Sequence, residues 1–414
     1  MVTRNCDVLV VGAGPAGCSA AYGATKNGAK VIVVEEHAVI GQPIRCGEQL
    51  PMYLSAWFPF EIPKNLLKRK INGVTLNFED YKILCKGFFW ESYVINRDEF
   101  DSYIAKNAAL LGASFLTSTK YLHFEKKNYG YLCYVKNKNK VIKIKCKYII
   151  AADGCQSAFW ELLRDKPASK DIGYIHGWEL GEVKLDDWRF NHYFLGNFAP
   201  TGYGYIFPKI NTVNAGVGGI RKKYKQEDFL NFSSSKEFKR VIPQFKFLNK
   251  KSGEISVFRP SIGEWGIDNV FFVGEAANMS VKPLGDGIPL AVISGYHAGV
   301  LAAQGKDRSE YSKKLLGELG WLISRSYGSL ADLKKIVESK EKVRPLIFLG
   351  YLTGAIRSNE IDNALSKKPS EILNQIDQYN SSLTAGLVRM GEDIGFRAHW
   401  LGRCLKNYLK KYDS

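Results

Sequence analysis

The stretch "CDVLVVGAGPAGCSAAYGATKNGAKVIVVEE", residues 6–36, decides the fold. "CDVLVV" is a short continuous apolar run that enters a glycine turn, the signature of a buried strand. "PAGCSAAYGATKNG" has helical character and stops at Gly28, and "AKVIVVEE" is a second strand, so the segment predicts a βαβ unit. Gly12, Gly14 and Gly17 form G-x-G-x-x-G. The first permits the tight turn, the second lets backbone approach a pyrophosphate, and the third lets the helix lie close to its strand. Pro15 and Ala16 open the helix, whose free N–H groups and positive dipole end suit phosphates. The motif is weak alone. Here it follows a strand, opens a helix and leads to Glu35, whose carboxylate suits the ribose hydroxyls of an adenosine. A dinucleotide site is expected, with Glu36 exposed.

Outward from this unit, strand-like segments occur near 71–95 and a helix at about 97–111. "YGYLCYVKNKNKVIKIKCKYIIAADG" predicts a hairpin, then a strand entering a turn. Aromatic strand patterns dominate 173–220. "NVFFVGEAANMS" is a further strand and turn, "IPLAVISGYHAGVLAAQ" a helix, and the chain beyond about 308 is mostly helical and basic. No repeats or low-complexity linkers occur, so the parts interleave and one site draws on distant segments.

The 414 residues suggest one large or two intimately joined domains. Apolar content of 45% and charged content of 24% are those of a soluble globular protein. The net charge of +17 implies an acidic partner such as nucleic acid, anionic lipid or phosphorylated substrate. Eight cysteines without a C-x-x-C pair fit neither a zinc site nor a disulfide framework, so a reducing cytoplasm and no metal are expected. No signal peptide is expected. No segment has the roughly 18–20 continuous apolar residues of a membrane span.

"VFFVGEAA" at 270–277 is a strand followed by Gly-acid-Ala-Ala and resembles the second FAD fingerprint of flavoproteins, with Glu275 toward the ribityl chain. "IIAADG" at 149–154 resembles the intervening segment of that superfamily, with Asp153 as its acid. Together with "IGQPIRCGE" at 40–48, "INRDEFD" at 95–101, "APTGYGYIFP" at 199–208, "NAGVGG" at 214–219 and "GEAANMSVKPLGDGI" at 274–288, these segments make residues 1–305 resemble the geranylgeranyl reductase family of FAD flavoproteins. The R-C-G-E loop and the Y-x-aromatic-x-F-P strand carry most of the specificity. The resemblance implies an α/β (α+β), p-hydroxybenzoate-hydroxylase-like architecture. Its Rossmann-type FAD-binding domain takes 1–70, 95–170 and 260–305. An inserted antiparallel β-sheet substrate domain takes 71–94 and 171–259, and a C-terminal helical region takes 306–414. It also implies reduction of isolated double bonds in prenyl chains by hydride from the reduced flavin plus a proton.

By the same resemblance the Arg45–Glu48 loop lies by the flavin. Cys46 contacts the isoalloxazine or gates the chain, unless it is only a small filler. Gly47 allows close backbone approach, and Arg45 neutralises a phosphate or Glu48. Glu48 is either a loop ion pair or part of proton delivery. Arg97 contacts FAD, and Tyr121 contacts the adenine through its backbone. Tyr203, Tyr205 and Phe207 share one strand face, which suits an unsaturated chain or a core. Cys46 and a tyrosine of that strand are proton-donor candidates beside bound water and the flavin itself.

The sequence departs from the family pattern in three places. Tyr205 stands where the family usually has Trp. Glu275 replaces the usual Asp. "LGDGI", with Gly285, Asp286, Gly287 and Ile288 beside the cofactor, replaces a Gly-Gly-Gly-Ile pattern. Pro289 suits the first turn of the following helix. Asp286 either faces the ring and disfavours anionic reduced flavin, or caps the helix.

The expected partners are a prenyl lipid or prenyl diphosphate and an electron donor such as NADPH or ferredoxin. The expected location is cytoplasmic, with peripheral contact to anionic membrane. In "FRAHWLGRCLKNYLKKYD", 396–413, Trp400, Leu401, Leu405, Tyr408 and Leu409 recur at helical spacing, giving either a surface-lying helix or a packed one with a solvated face. A flavin monooxygenase or halogenase is the alternative enzyme, although "GCQSAFW" lacks the arginine expected at its end. A flavin-bearing lipid-binding protein with impaired turnover is the non-enzymatic alternative. An RNA-modifying flavoprotein lacks any recognisable nucleic-acid module, so no nucleic acid is expected.

Overall fold

Val8–Val11 and Val31–Val34 are buried at every position, as strands covered on both faces must be. In this computed structural model, which describes residues 3–163, 167, 172–220, 223–257 and 265–410, the two strands pair in parallel at the heart of a six-stranded sheet. Tyr148–Ala151 and Val270–Phe272 extend it in parallel on one side and Ser114–Leu116 on the other. The helix Pro15–Lys26 connects the two central strands as predicted, with Gly28 beyond its end at φ +83°. It packs against Arg97–Leu110 and Ile288–Ala303, and Ser19 donates to the Val292 carbonyl at 2.7 Å. A four-stranded sheet contains the expected hairpin Gly130–Asn137 and Lys140–Cys146.

Two compact units emerge, residues 1–44 with 96–172 and 254–327, and residues 45–95 with 173–253 and 328–414. The first holds the parallel sheet. The second unites residues 45–70, expected in the FAD-binding domain, and most of the C-terminal helices, expected to stand apart, with residues 71–95 and 173–253. The expected boundaries at 170 and 259 lie outside the described residues.

The second unit is built on a seven-stranded sheet. Its order is Gln244–Ser256, Ile172–Lys184, Val213–Ile220, Gly202–Pro208, Asn191–Phe194, Val74–Phe78 and Tyr81–Cys85. Gly202–Pro208 and Val213–Ile220 form a tight antiparallel hairpin, so alternate side chains of each point to one face. Phe229, Phe232 and Phe238 fill a core with Phe194, Ile206 and Val217.

The last described helix, Leu383–Lys410, belongs to this unit. Phe396 packs on Tyr53 and Phe89 at ring distances of 5.1 and 4.8 Å. Trp400 meets Phe88 edge-on at 5.5 Å and donates to Ser55 Oγ at 3.2 Å. Trp400 therefore faces inward, whereas Leu401, Leu405, Tyr408 and Leu409 are each more than half exposed, and residues 411–413 lie outside the described residues. No described helix is long and apolar enough to cross a membrane.

Candidate functional site

The first unit contains a glycine turn that leads into a helix start. Gly12 has φ +100°, and a Cβ there would lie 2.3 Å from the Ala152 carbonyl oxygen. A Cβ on Gly17 would lie 1.9 Å from the Gly12 oxygen, so the turn and the helix can close only with glycine at both positions. Gly14 differs: nothing lies within 4 Å of its added Cβ. It is the helix N-cap, and no side chain caps the first turn. Open space in front of uncapped N–H groups fits a pyrophosphate. Glu35, at the end of the next strand, accepts from Ala13 N at 2.7 Å and from His37 N at 2.9 Å, which fixes its carboxylate at the rim.

The other acids of this unit are less satisfied. Asp153 accepts from Ala158 N at 2.8 Å through one oxygen, while its buried Oδ1 has no hydrogen-bond partner. Burial pushes its carboxyl up to about 6. Such an orphaned acceptor fits a cofactor hydroxyl. Glu275 accepts from Ser256 N at 2.6 Å, so its longer side chain is anchored on backbone. Asp286 is half-buried, and burial pushes its carboxyl up to about 7. Its backbone bridges Val281 in both directions, but its side chain does not cap Ile288–Ala303, whose N-cap is Gly287. The expected capping alternative for Asp286 is therefore wrong. Pro289 occupies the first turn as expected.

Lys282, in the same loop, escaped sequence reasoning. It is buried, bonds Asn278 Oδ1 at 3.2 Å and reaches Ser280 Oγ, and burial lowers its pKa against the pull of Glu275. Arg97 clamps the buried Asp101 with two bonds of 2.9 and 2.7 Å, which orients its guanidinium at the helix start. Tyr121 lies on Thr119–Lys127 of the four-stranded sheet, its ring stacked on Phe159 at 4.7 Å.

The second unit gathers the other group of candidates. Tyr203, Tyr205 and Phe207 do share a face of Gly202–Pro208. Tyr205 and Phe207 rings lie 4.7 Å apart, and Tyr193 meets Tyr203 and Phe207 at 5.1 and 5.4 Å. The Arg45–Glu48 loop lies across this face. A Cβ on Gly47 would be 3.0 Å from the Phe207 ring, so a larger residue would lift the loop from the aromatics. Cys46 is half-buried, its Sγ accepts from Glu48 N at 3.2 Å, and its carbonyl accepts from Asn214 Nδ2 at 3.0 Å. Tyr205 is buried and its hydroxyl pKa is driven well up, first by desolvation and then by Cys46, Tyr203 and the acids Glu48 and Glu179.

Glu48 is wholly buried. Its Oε2 contacts Lys251 at 2.5 Å and Lys209 at 2.6 Å, and accepts from Asn214 Nδ2 at 3.0 Å. Glu179 contacts the same lysines at 2.6 and 3.1 Å and also accepts from Thr212 Oγ1. Two acids and two lysines thus form a neutral buried square. Burial opposes ionisation of Glu179, but Lys251 and Lys209 outweigh it and hold the acid below its ordinary value. Burial likewise opposes the Lys251 charge, and Glu48 and Glu179 outweigh it and raise its pKa. Lys209 and Lys251, not singled out beforehand, are the cations that neutralise Glu48. Lys209 directly follows the Y-x-aromatic-x-F-P strand, and Asn214 opens "NAGVGG", so two of the square's contacts adjoin legible motifs. Nothing in the sequence separates Lys251 from Lys250 beside it.

Comparison with known proteins agrees with this chemistry. A family model described as FAD binding domain matches residues 63–300, more than half of the chain, and one described as FAD dependent oxidoreductase matches residues 7–42. A digeranylgeranylglycerophospholipid reductase of Methanococcus vannielii is 34% identical over 335 residues, 79% of this chain and 85% of the relative. That of Methanocaldococcus jannaschii is 32% identical over 321 residues, 75% and 80% of the two chains. The solved structure of a geranylgeranyl bacteriochlorophyll reductase-like protein from Thermoplasma acidophilum superposes with a TM-score of 0.74 at 23% identity, covering 91% of this chain and 99% of that one. A flavin-dependent brominase, Bmp2, shares the fold at a TM-score of 0.63 and 18% identity. The two reductases and the domain match show that this chain is an FAD-dependent oxidoreductase belonging to the digeranylgeranylglycerophospholipid reductase family.

Proposed function

We propose that this enzyme saturates isolated double bonds in geranylgeranyl and related prenyl chains, with membrane lipids as its substrates. The names of its relatives support that reading. The observation that carries it is the aromatic face of Tyr193, Tyr203, Tyr205 and Phe207 with Gly47, next to Cys46, laid against it. An isolated alkene has no carbonyl to polarise it, so it must be held flat, kept dry and protonated at one carbon. FAD, when bound and reduced, would supply the hydride for the other carbon.

Within the second unit the rings provide an apolar bed for a chain. Tyr205 in place of Trp leaves more room over that bed and adds a hydroxyl that stays protonated at neutral pH. Cys46 is the group we assign to proton delivery, because its half-buried thiol is fixed in orientation by the Glu48 N–H that donates to its sulfur. Glu48 acts as a positioning residue: its carboxylate is engaged by Lys209, Lys251 and Asn214, and Asn214 also holds the Cys46 carbonyl. In the first unit, Gly12, Gly14, Pro15, Ala16, Gly17, Glu35, Arg97, Tyr121, Asp153, Glu275, Gly285, Asp286, Gly287 and Ile288 form the proposed cofactor-binding set. The electrons come from an external donor of the NADPH or ferredoxin class.

Cys46→Ala tests the assignment. Reoxidation of the reduced flavin by a geranylgeranyl lipid should slow by about a hundredfold or more, the usual value of a positioned acid, while FAD affinity stays unchanged. Undiminished reoxidation would remove Cys46 from the chemistry. Substrate-dependent oxygen consumption would favour a monooxygenase instead.

A further inference from the structure

The helix Leu383–Lys410 is apolar on two faces. One face carries Phe396 and Trp400 into the second unit. On the other, Leu383, Leu387, Met390, Ile394, Leu401 and Leu405 recur every three, four or seven residues and are each more than half exposed. Leu409 continues this row, also more than half exposed. At 1.5 Å per residue the row runs about 39 Å. Between its large residues lie Gly391, Gly395 and Gly402, whose added Cβ atoms would meet nothing. A soluble surface rarely presents so long a continuous apolar strip without a partner.

We propose that this face docks on an anionic lipid surface, with the helix lying in the plane of the interface. Two observations select that occupant. The helix is too polar to span a membrane. Its exposed apolar row is nevertheless continuous along one side and bordered by polar and basic residues, as in helices that rest at the headgroup level. Charge is the second. From Arg397 to Lys410 the helix contains Arg397, Arg403, Lys406 and Lys410 and no acid, and the whole chain carries +17. Arg397 is held by Asp393 at 2.8 Å and lies over the Phe88 ring, so the exposed Lys406 and Lys410 beside the end of the apolar row are the cations that headgroup phosphates would meet. A second copy of the chain would bring the same positive charge to the same strip, so self-association is disfavoured by repulsion that an acidic bilayer converts into attraction. The inference stands on the helix alone and does not depend on the reductase reading.

Co-sedimentation of the FAD-loaded protein with vesicles tests it, using phosphatidylcholine alone and phosphatidylcholine containing one-third phosphatidylglycerol. The protein should partition onto the acidic vesicles, and added salt should weaken that binding. Leu401→Glu with Leu405→Glu should reduce partitioning at least about tenfold, or ~1.4 kcal/mol. Lys406→Glu with Lys410→Glu should weaken it selectively on acidic vesicles. Both sites are exposed, so flavin content and unfolding temperature should match the parent and report any folding defect separately. Absence of binding to acidic vesicles would overturn the proposal, as would binding indifferent to both double variants. A lipid-free dimer dispersed by Leu401→Glu with Leu405→Glu would overturn it in favour of a second copy.

Discussion

Lys251→Met removes one corner of the buried square and leaves Glu48 and Glu179 with Lys209 between them. Lys251 lies 2.5 Å from one acid and 2.6 Å from the other, so both lose their shorter contact to lysine. Breaking a buried ion pair from one side costs about 3–5 kcal/mol, because the remaining charge stays desolvated. With an m-value of about 2 kcal/mol/M, the urea midpoint of the second unit should fall by about 2 M. Tryptophan fluorescence and circular dichroism can follow the transition. The double variant Lys251→Met with Glu179→Gln restores neutrality and should recover at least half of the loss. The pH dependence has a defined sign. Glu179 has a lowered pKa, so its contribution is present above its unfolded value and is lost as pH falls through the folded one. Lys251 has a raised pKa, so its contribution is present below its unfolded value and is lost as pH rises through the folded one. The deficit of Lys251→Met should therefore shrink toward acid pH, where the stranded carboxylates take up protons. A loss under about 1 kcal/mol, typical of a solvated pair, or no recovery in the double variant, would refute a buried coupled network.

Gly14→Val should block FAD without unfolding the protein. Gly14 has extended backbone at φ −74° and ψ −174°, and the added side chain meets only the cradle. FAD titration should show affinity at least about tenfold weaker, ~1.4 kcal/mol, with little change in apoprotein stability. Asp286→Asn should stabilise the apoprotein at neutral pH. The folded pKa of about 7 lies above the unfolded one, so wild-type stability falls as pH rises through the window between 3.8 and about 7. The variant should gain about 2–4 kcal/mol above that window and nothing below it; equal pH slopes for the two proteins would contradict this. In the loaded enzyme the same substitution should raise the flavin potential, and an unchanged potential would place the carboxyl away from the ring.

The N-terminal βαβ unit was legible because every element of it is encoded locally. Val8–Val11 is apolar on both faces, the glycines punctuate the turn, and Glu35 ends the next strand. The shared face of Tyr203, Tyr205 and Phe207 was equally legible, since a strand alternates with period two. The buried square was not, because its contacts are remote: Glu48 meets Lys251 across 203 positions. Lysine is also among the residues least often fully buried, so nothing in the sequence set Lys209 and Lys251 apart from the other lysines of the chain. Arg45, the cation nearest Glu48 in sequence, drew the attention instead. Asp286 beside a helix start left two readings open, facing the ring or capping the helix, and the Val281–Asp286 bridge with Gly287 as the N-cap rules out the second. The terminal helix was ambiguous because it is apolar on two faces. Spacing grouped Trp400 with Leu401, and only packing against Phe88 and Ser55 separates them.

The most direct test of the proposed function is an anaerobic one. The purified flavoprotein is reduced with dithionite and mixed with a geranylgeranyl phospholipid, while flavin absorbance and lipid mass are followed together. The account predicts reoxidation of the flavin in step with mass gains of about two daltons, one hydride and one proton per turnover. Flavin that stays reduced beside lipid of unchanged mass would contradict it.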